Sequence, residues 1–140
     1  MLSMGKHNMQ TRRTVYLAGG IHGLSDAESA DWRNLVAAAL GVRYEILDPL
    51  RRDYRGCEGS HASAIVRDDL ADISRTDIVL VKADRPSWGT AMEAWFAHSK
   101  EKRVIVVSAG PNPSPWLIYC ATDLVDTMGQ AVAMLLSEAE

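Results

Sequence analysis

The stretch IVLVKADRPSWGTAMEAWFAHSKEKRVIVV, residues 78–107, decides the fold. Ile78 to Val81 is an uninterrupted run of branched aliphatics, the composition of a strand covered on both faces. Pro86 breaks the chain, and Gly89 to His98 then reads as a helix with Ser87 in front of it, where a capping hydroxyl belongs. Val104 to Val107 repeats the first run. Strand, helix, strand at this spacing predicts a parallel pair joined by a right-handed crossover.

Outward from that unit the alternation continues. Thr14 to Ala18 is a β-rich run that stops at Gly19-Gly20. Ser25 to Leu40 has helical spacing through Ala27, Ala30, Trp32, Leu35, Ala38 and Leu40, and Ser25 with Glu28 makes a capping box. Tyr44 to Leu47 reads as a second strand ending at Asp48-Pro49, Leu50 to Gly59 as a polar, arginine-rich loop, and Ala62 to Ile73 as another helix. After the break Gly110-Pro111-Asn112-Pro113, a short fifth strand is expected within Ile118 to Leu124, and Met128 to Leu136 closes with an amphipathic helix. The expectation is an α/β fold: a single doubly wound parallel sheet, flavodoxin-like or Rossmann-like, of about five strands with helices on both faces. Met1 to Arg13 lacks periodicity and holds three of the six methionines, so residues 1–13 read as a flexible leader and 14–140 as one domain.

At 140 residues and 47% hydrophobic content the chain can build one real core. A formal charge of −3 with mixed signs gives no basic face for a nucleic-acid polymer, which favours small-molecule partners. No apolar run approaches the roughly 18 residues of a membrane span, and the first residues lack a signal peptide's apolar segment. A cytoplasmic protein without membrane partners is expected. Cys57 and Cys120 have neither CxxC nor Cys/His spacing, so no metal site and no disulfide framework is expected.

In a doubly wound sheet the carboxyl ends of neighbouring strands face one crevice, so residues 19–23, 48–56 and 84–89 should converge as its walls. Glu93 is the single acid among Ala91, Met92, Ala94, Trp95, Phe96 and Ala97, one turn into the helix that opens on this crevice. Apolar neighbours would desolvate its carboxylate, and a desolvated, positioned carboxylate is a nucleophile or a base. The plainer reading is an acid near a helix start, facing water. Asp69 falls at the margin of its helix's buried face, with Asp68 and Asp72 expected to point outward; the plainer reading is one solvated acid of three, and a general-acid reading requires it to reach the same crevice. Ser87 is a capping residue on its plainer reading, and the same geometry with the amides of Trp88, Gly89 and Thr90 makes an anion site. Gly19 and Gly20 serve a tight turn or a phosphate, His22 is a loop histidine within reach of a ligand, and Tyr16 is a core residue whose hydroxyl needs a partner. Arg51, Arg52 and Arg55 read as solvated loop charge, or as cations that close over a ligand. Trp88, Trp95 and Trp116 either pack or stack on a base.

The ordered pieces Val15-Tyr16-Leu17-Ala18-Gly19-Gly20-Ile21, Asp48-Pro49-Leu50 with Asp53-Tyr54-Arg55-Gly56, Asp69 with Leu70 and Ile73, and Gly89-Thr90-Ala91-Met92-Glu93 with Ala97 resemble the nucleoside 2-deoxyribosyltransferase superfamily. That superfamily includes the 2'-deoxynucleoside 5'-phosphate N-hydrolases. The resemblance implies cleavage of an N-glycosidic bond, with Glu93 attacking C1', Asp69 protonating or holding the departing base, and Tyr16 orienting the Glu93 carboxylate. It implies substrate contacts at Gly19, Gly20, Ile21, His22, Asp48, Arg55, Ser87, Gly89 and Ser114, no metal or organic cofactor, and a homodimer or higher homo-oligomer that completes the site. The pattern is intermediate. Arg85-Pro86-Ser87-Trp88 replaces the acid of the transferases and resembles the nucleotide hydrolases, whereas Gly20 and His22 replace a serine and an arginine of the hydrolase pattern. A non-catalytic nucleotide-binding sensor on the same crevice is the competing expectation.

Overall fold

The computed structural model describes residues 12–139. Five parallel strands form one sheet in the order β2-β1-β3-β4-β5: β1 Thr14–Ala18, β2 Glu45–Leu47, β3 Ile78–Lys82, β4 Arg103–Val107 and β5 Asp123–Val125. This is the flavodoxin-like order, and the chain reverses its direction of travel across the sheet between β1 and β3. The helices are α1 Asp26–Leu40, α2 Ala62–Arg75, α3 Trp88–Ser99, α4 Pro115–Cys120 and α5 Met128–Glu138. Short 3₁₀ turns at Pro49–Arg51 and Glu58–His61 fill the loop between β2 and α2.

The strands are buried on both sides because their side chains alternate between two cores. Val15, Leu17, Ile78, Leu80, Ile105 and Val107 pack with Trp32, Val36 and Leu40 of α1 and Ala131 and Leu135 of α5. Tyr16, Ala18, Val79, Val81, Val104 and Val106 pack on the opposite face with Ile73 of α2, Ala94 and Ala97 of α3, and Cys120 of α4. The two-residue period therefore places Tyr16 on the same side of the sheet as α2 and α3, the helices that carry Asp69 and Glu93.

Local signals set most boundaries. Ser25 accepts from the Glu28 amide while Glu28 accepts from the Ser25 amide, which fixes the start of α1. Thr127 and Gln130 repeat that box at α5. Residues 118–124 differ from expectation: α4 ends at Cys120 and the fifth strand is only Asp123–Val125. Pro115 sits in the first turn, where its fixed φ and missing amide suit a helix, and the β-favouring Trp116, Ile118 and Tyr119 lie on the exposed side of that helix instead of in a strand. Of the segment read as a leader, Met1 to Thr11 lie outside the described residues, while Arg13 donates to the Tyr44 hydroxyl at 3.1 Å.

Candidate active site

A cavity of about 210 Å³ opens at the carboxyl ends of β1 and β3, beside the point where the strand order reverses. Gly19, Ile21 and His22 line it from the loop after β1, and Leu50, Arg52, Tyr54 and Arg55 from the loop after β2. Ile65 and Asp69 come from α2, and Ser87, Gly89, Thr90 and Glu93 from α3 and its cap. The three expected loops do converge.

Tyr16 does not line the cavity, but from the buried face of the sheet its hydroxyl donates to Oε2 of Glu93, which does. Tyr16 is fully buried, and burial first, then the neighbouring Glu93 charge, holds its phenol far above the ordinary range, so it stays a donor. Burial likewise pushes Glu93 up to about 8; Tyr16 and Arg33 work against that rise, and the adjacent Asp69 carboxylate adds to it. Asp69 is also raised, by burial above all, with Arg52 opposing. Two acids from separate helices thus line one pocket, and one of them, Glu93, accepts from a buried hydroxyl of the sheet.

Ser87 caps α3 as the plainer reading has it, accepting from the Thr90 amide at 3.3 Å and from Thr90 Oγ1 at 2.9 Å. Ser87, Gly89 and Thr90 at this helix start also line the cavity.

Residues 15–131 match the family described as nucleoside 2-deoxyribosyltransferase. The chain belongs to that family. A protein of Bacillus subtilis (strain 168) called uncharacterized protein YtoQ is 31% identical over 144 residues, covering 86% of this chain and 93% of its own length. Among solved structures, a 2-deoxyribosyltransferase of Bacillus psychrosaccharolyticus superposes with a TM-score of 0.66 at 16% identity, over 85% of this chain and 90% of that one. The Clostridium botulinum CMP N-glycosidase BcmB does so with a TM-score of 0.55 at 15% identity, over 88% and 98%. Family membership supports an enzyme of the deoxyribosyl-transfer class.

Within this deoxyribosyltransferase fold the other expected site residues divide. Gly19, Ile21, His22, Arg55, Ser87 and Gly89 line the cavity, and Gly20, Asp48 and Ser114 do not. Gly19 has a packing reason for being glycine: a Cβ there would meet the Trp32 ring at 2.6 Å. Asp48 is turned away from the cavity, accepting from the Leu50 amide at 2.9 Å and pairing with Arg33 at 3.3 Å. Ser114 lies in an adjoining hollow of about 720 Å³ that shares Ser87 and Thr90 with the cavity. His22 pairs loosely with Glu58 at 3.5 Å, and Arg55 is held by Asp53 and Asp26 at 2.7 and 2.8 Å.

Asp72 corrects an expectation. It is buried, not outward, because Arg51 reaches it at 2.7 Å and Arg52 at 2.9 Å; burial works upward on its carboxyl, yet these hydrogen bonds carry it below the usual range. Arg51 and Arg52 are accordingly bound to α2 and are not free loop charge. Trp88, Trp95 and Trp116 are exposed, and Trp95 stacks on Tyr119 with ring centroids 6.1 Å apart.

Arg33 was absent from the sequence expectations. It is fully buried, donating at 2.7 Å to Leu17 O, 2.8 Å to Gly19 O and 2.9 Å to Ser29 O, with the Trp32 ring 4.8 Å from its guanidinium carbon. The signal was present: Arg33 lies four residues after Ser29 and three before Val36, on the stripe that α1 turns to the sheet.

Proposed function

We propose that the protein cleaves the N-glycosidic bond of 2'-deoxynucleosides or their 5'-monophosphates in the cytoplasm. Glu93 takes the deoxyribosyl group and passes it to a second base or to water. The observation that carries this reading is that Glu93 and Asp69 line one cavity whose rim is the start of α3, while the buried Tyr16 hydroxyl donates to Glu93 from the sheet behind it. Bond breaking at C1' develops positive charge that an adjacent carboxylate traps, the leaving base needs a proton, and a neutral phenol fixes the attacking oxygen. Arg55 and the α3 amides at the rim suit a 5'-phosphate, and the structural neighbour called a CMP N-glycosidase is in keeping with a monophosphate substrate.

The deciding experiment incubates the protein with deoxynucleosides and deoxynucleoside monophosphates, with and without a second base, and resolves products by chromatography. Free base or exchanged nucleoside is expected. Saturable binding of the same compounds without any product would favour the non-catalytic sensor and remove the catalytic reading. Replacing Ser87 by Ala should raise KM for a monophosphate about tenfold while changing KM for the nucleoside little, since a hydrogen bond to a charged group contributes about 1.5–3 kcal/mol. Equal changes for both substrates would leave Ser87 a cap alone.

The functional unit on this reading is a homodimer. Among the described residues α3 and α4 expose Trp88, Met92, Trp95, Trp116 and Tyr119, and neither helix places a charged side chain among them. An uncharged aromatic face can meet its own copy without like-charge repulsion, and it borders the hollow that shares Ser87 and Thr90 with the cavity, so a second copy there shields the site from water. Sedimentation should give twice the 15.4 kDa chain mass, and Trp116→Glu should give the monomer. A wild-type monomer at tens of micromolar would exclude this assembly.

A further inference from the structure

Arg52 is the only basic residue of the cavity lining whose guanidinium touches one of the two acids, among the described residues. Its Nη2 lies 3.0 Å from Asp69 Oδ1 and 2.9 Å from Asp72 Oδ2, and its Nε lies 3.9 Å from Asp68. Asp72 has a second strong donor in Arg51 and a weaker one in Arg75 at 3.7 Å, so Arg52 is not needed to neutralise it. For Asp69, by contrast, Arg52 is the only ion-pair partner recorded among the described residues. Glu93 has the complementary surroundings: a neutral Tyr16 hydroxyl from β1, the Asp69 carboxylate from α2, and the Arg33 cation behind it on α1, already committed to three backbone carbonyls. The other titratable residue of α3 is His98, in its last turn, whose ring faces Trp95 and Tyr119.

We propose that Arg52 is a positioning residue that keeps Asp69 charged in the free protein, so that the single proton of the acid pair rests on Glu93 and reaches the leaving base through Asp69. This rests on the catalytic reading above and answers a difficulty in it, because a nucleophile that holds a proton cannot attack. When substrate enters, Glu93 passes its proton to Asp69 and becomes the carboxylate. The C1'–N bond then breaks with its electron pair going to the base nitrogen, which takes the proton from Asp69, while a Glu93 oxygen forms the new bond to C1'. In the second half water or another base attacks C1', the ester electron pair returns to Glu93, and the proton released by the attacking group goes back to the pair. One proton serves both halves, and nothing is oxidised or reduced.

Two measurements test this. In the infrared spectrum of the ligand-free protein at pH 7, a protonated-carboxyl band should vanish in Glu93→Gln and persist in Asp69→Asn; loss of the band in Asp69→Asn instead would place the proton on the wrong acid and overturn the proposal. This holds whether or not the protein turns over, so a failure of the catalytic reading shows separately, as absence of product from wild type. In kinetics, wild-type kcat/KM should fall above about pH 8 as the pair loses its proton. A rise through that pH would mean that the proton is not used. Arg52→Gln should move the acid limb upward by roughly one to three pH units, the range by which an adjacent arginine lowers an aspartate, and Arg52→Lys should restore part of it. A lowered profile with unmoved limbs in Arg52→Gln would leave Arg52 a purely structural latch.

Discussion

Glu93→Gln is expected to abolish turnover, by roughly a thousandfold or more in kcat, and at the same time to make the protein more stable at neutral pH. The first effect follows from the proposed mechanism, in which the Glu93 carboxylate traps C1'. The second follows from burial. The Glu93 carboxyl is pushed from 4.5 to about 8 in the fold, so between those values the unfolded chain ionises it and the native state does not. The stability this group provides is complete below pH 4.5 and is lost as pH rises through about 8. Glutamine has nothing to ionise and still offers a carbonyl to the Tyr16 hydroxyl. With Glu93 partly open to the cavity, the gain at pH 7 should be roughly 1–3 kcal/mol. Thermal melts of both proteins at pH 4.5, 6 and 8 read it: the two should coincide at the lowest pH and separate as pH rises. A variant that is less stable at pH 8, or that retains full turnover, would remove Glu93 from its assigned place.

That prediction uses a residue that the sequence alone singles out. Glu93 stood out because one acid in an apolar stretch is conspicuous, and Ser87 because capping follows from a residue type and a spacing of three. The sheet was legible for a related reason: runs such as Ile78 to Val81 and Val104 to Val107 have no reading other than buried segments, and their spacing forces a crossover. Residues 115–125 were not, since a six-residue helix rich in Trp, Ile and Tyr carries too few turns for a period to show. Asp72 escaped because burial of an acid depends on who arrives to pair with it. Arg51 and Arg52 come from a loop about twenty residues earlier, and no local pattern encodes that meeting.

Arg33 escaped although helical spacing puts it on the buried stripe of α1, because its carbonyl partners lie on β1, and it carries the second large effect. It holds the carbonyls of Leu17 and Gly19 and the carboxylate of Asp48, which ties the end of β1 to the end of β2 from beneath the loop that lines the cavity. Because the guanidinium has no exposure, its donors must all be met within the protein, and burial lowers its own proton affinity. Arg33→Met should therefore destabilise the protein by about 3 kcal/mol, the scale seen when one member of a buried charged network is removed. Arg33→Lys should recover little, because a single ammonium cannot reach three carbonyls arranged for a planar fork. The same substitution frees Gly19 and Ile21 at the cavity wall, so KM should rise more than kcat falls in whatever fraction remains folded. Urea unfolding, with KM measured well below the melting temperature, separates the two consequences. If Arg33→Met unfolds at the wild-type urea concentration, the buried fork is incidental, and the rigidity of the β1 loop must come from the packing of Trp32 against Gly19.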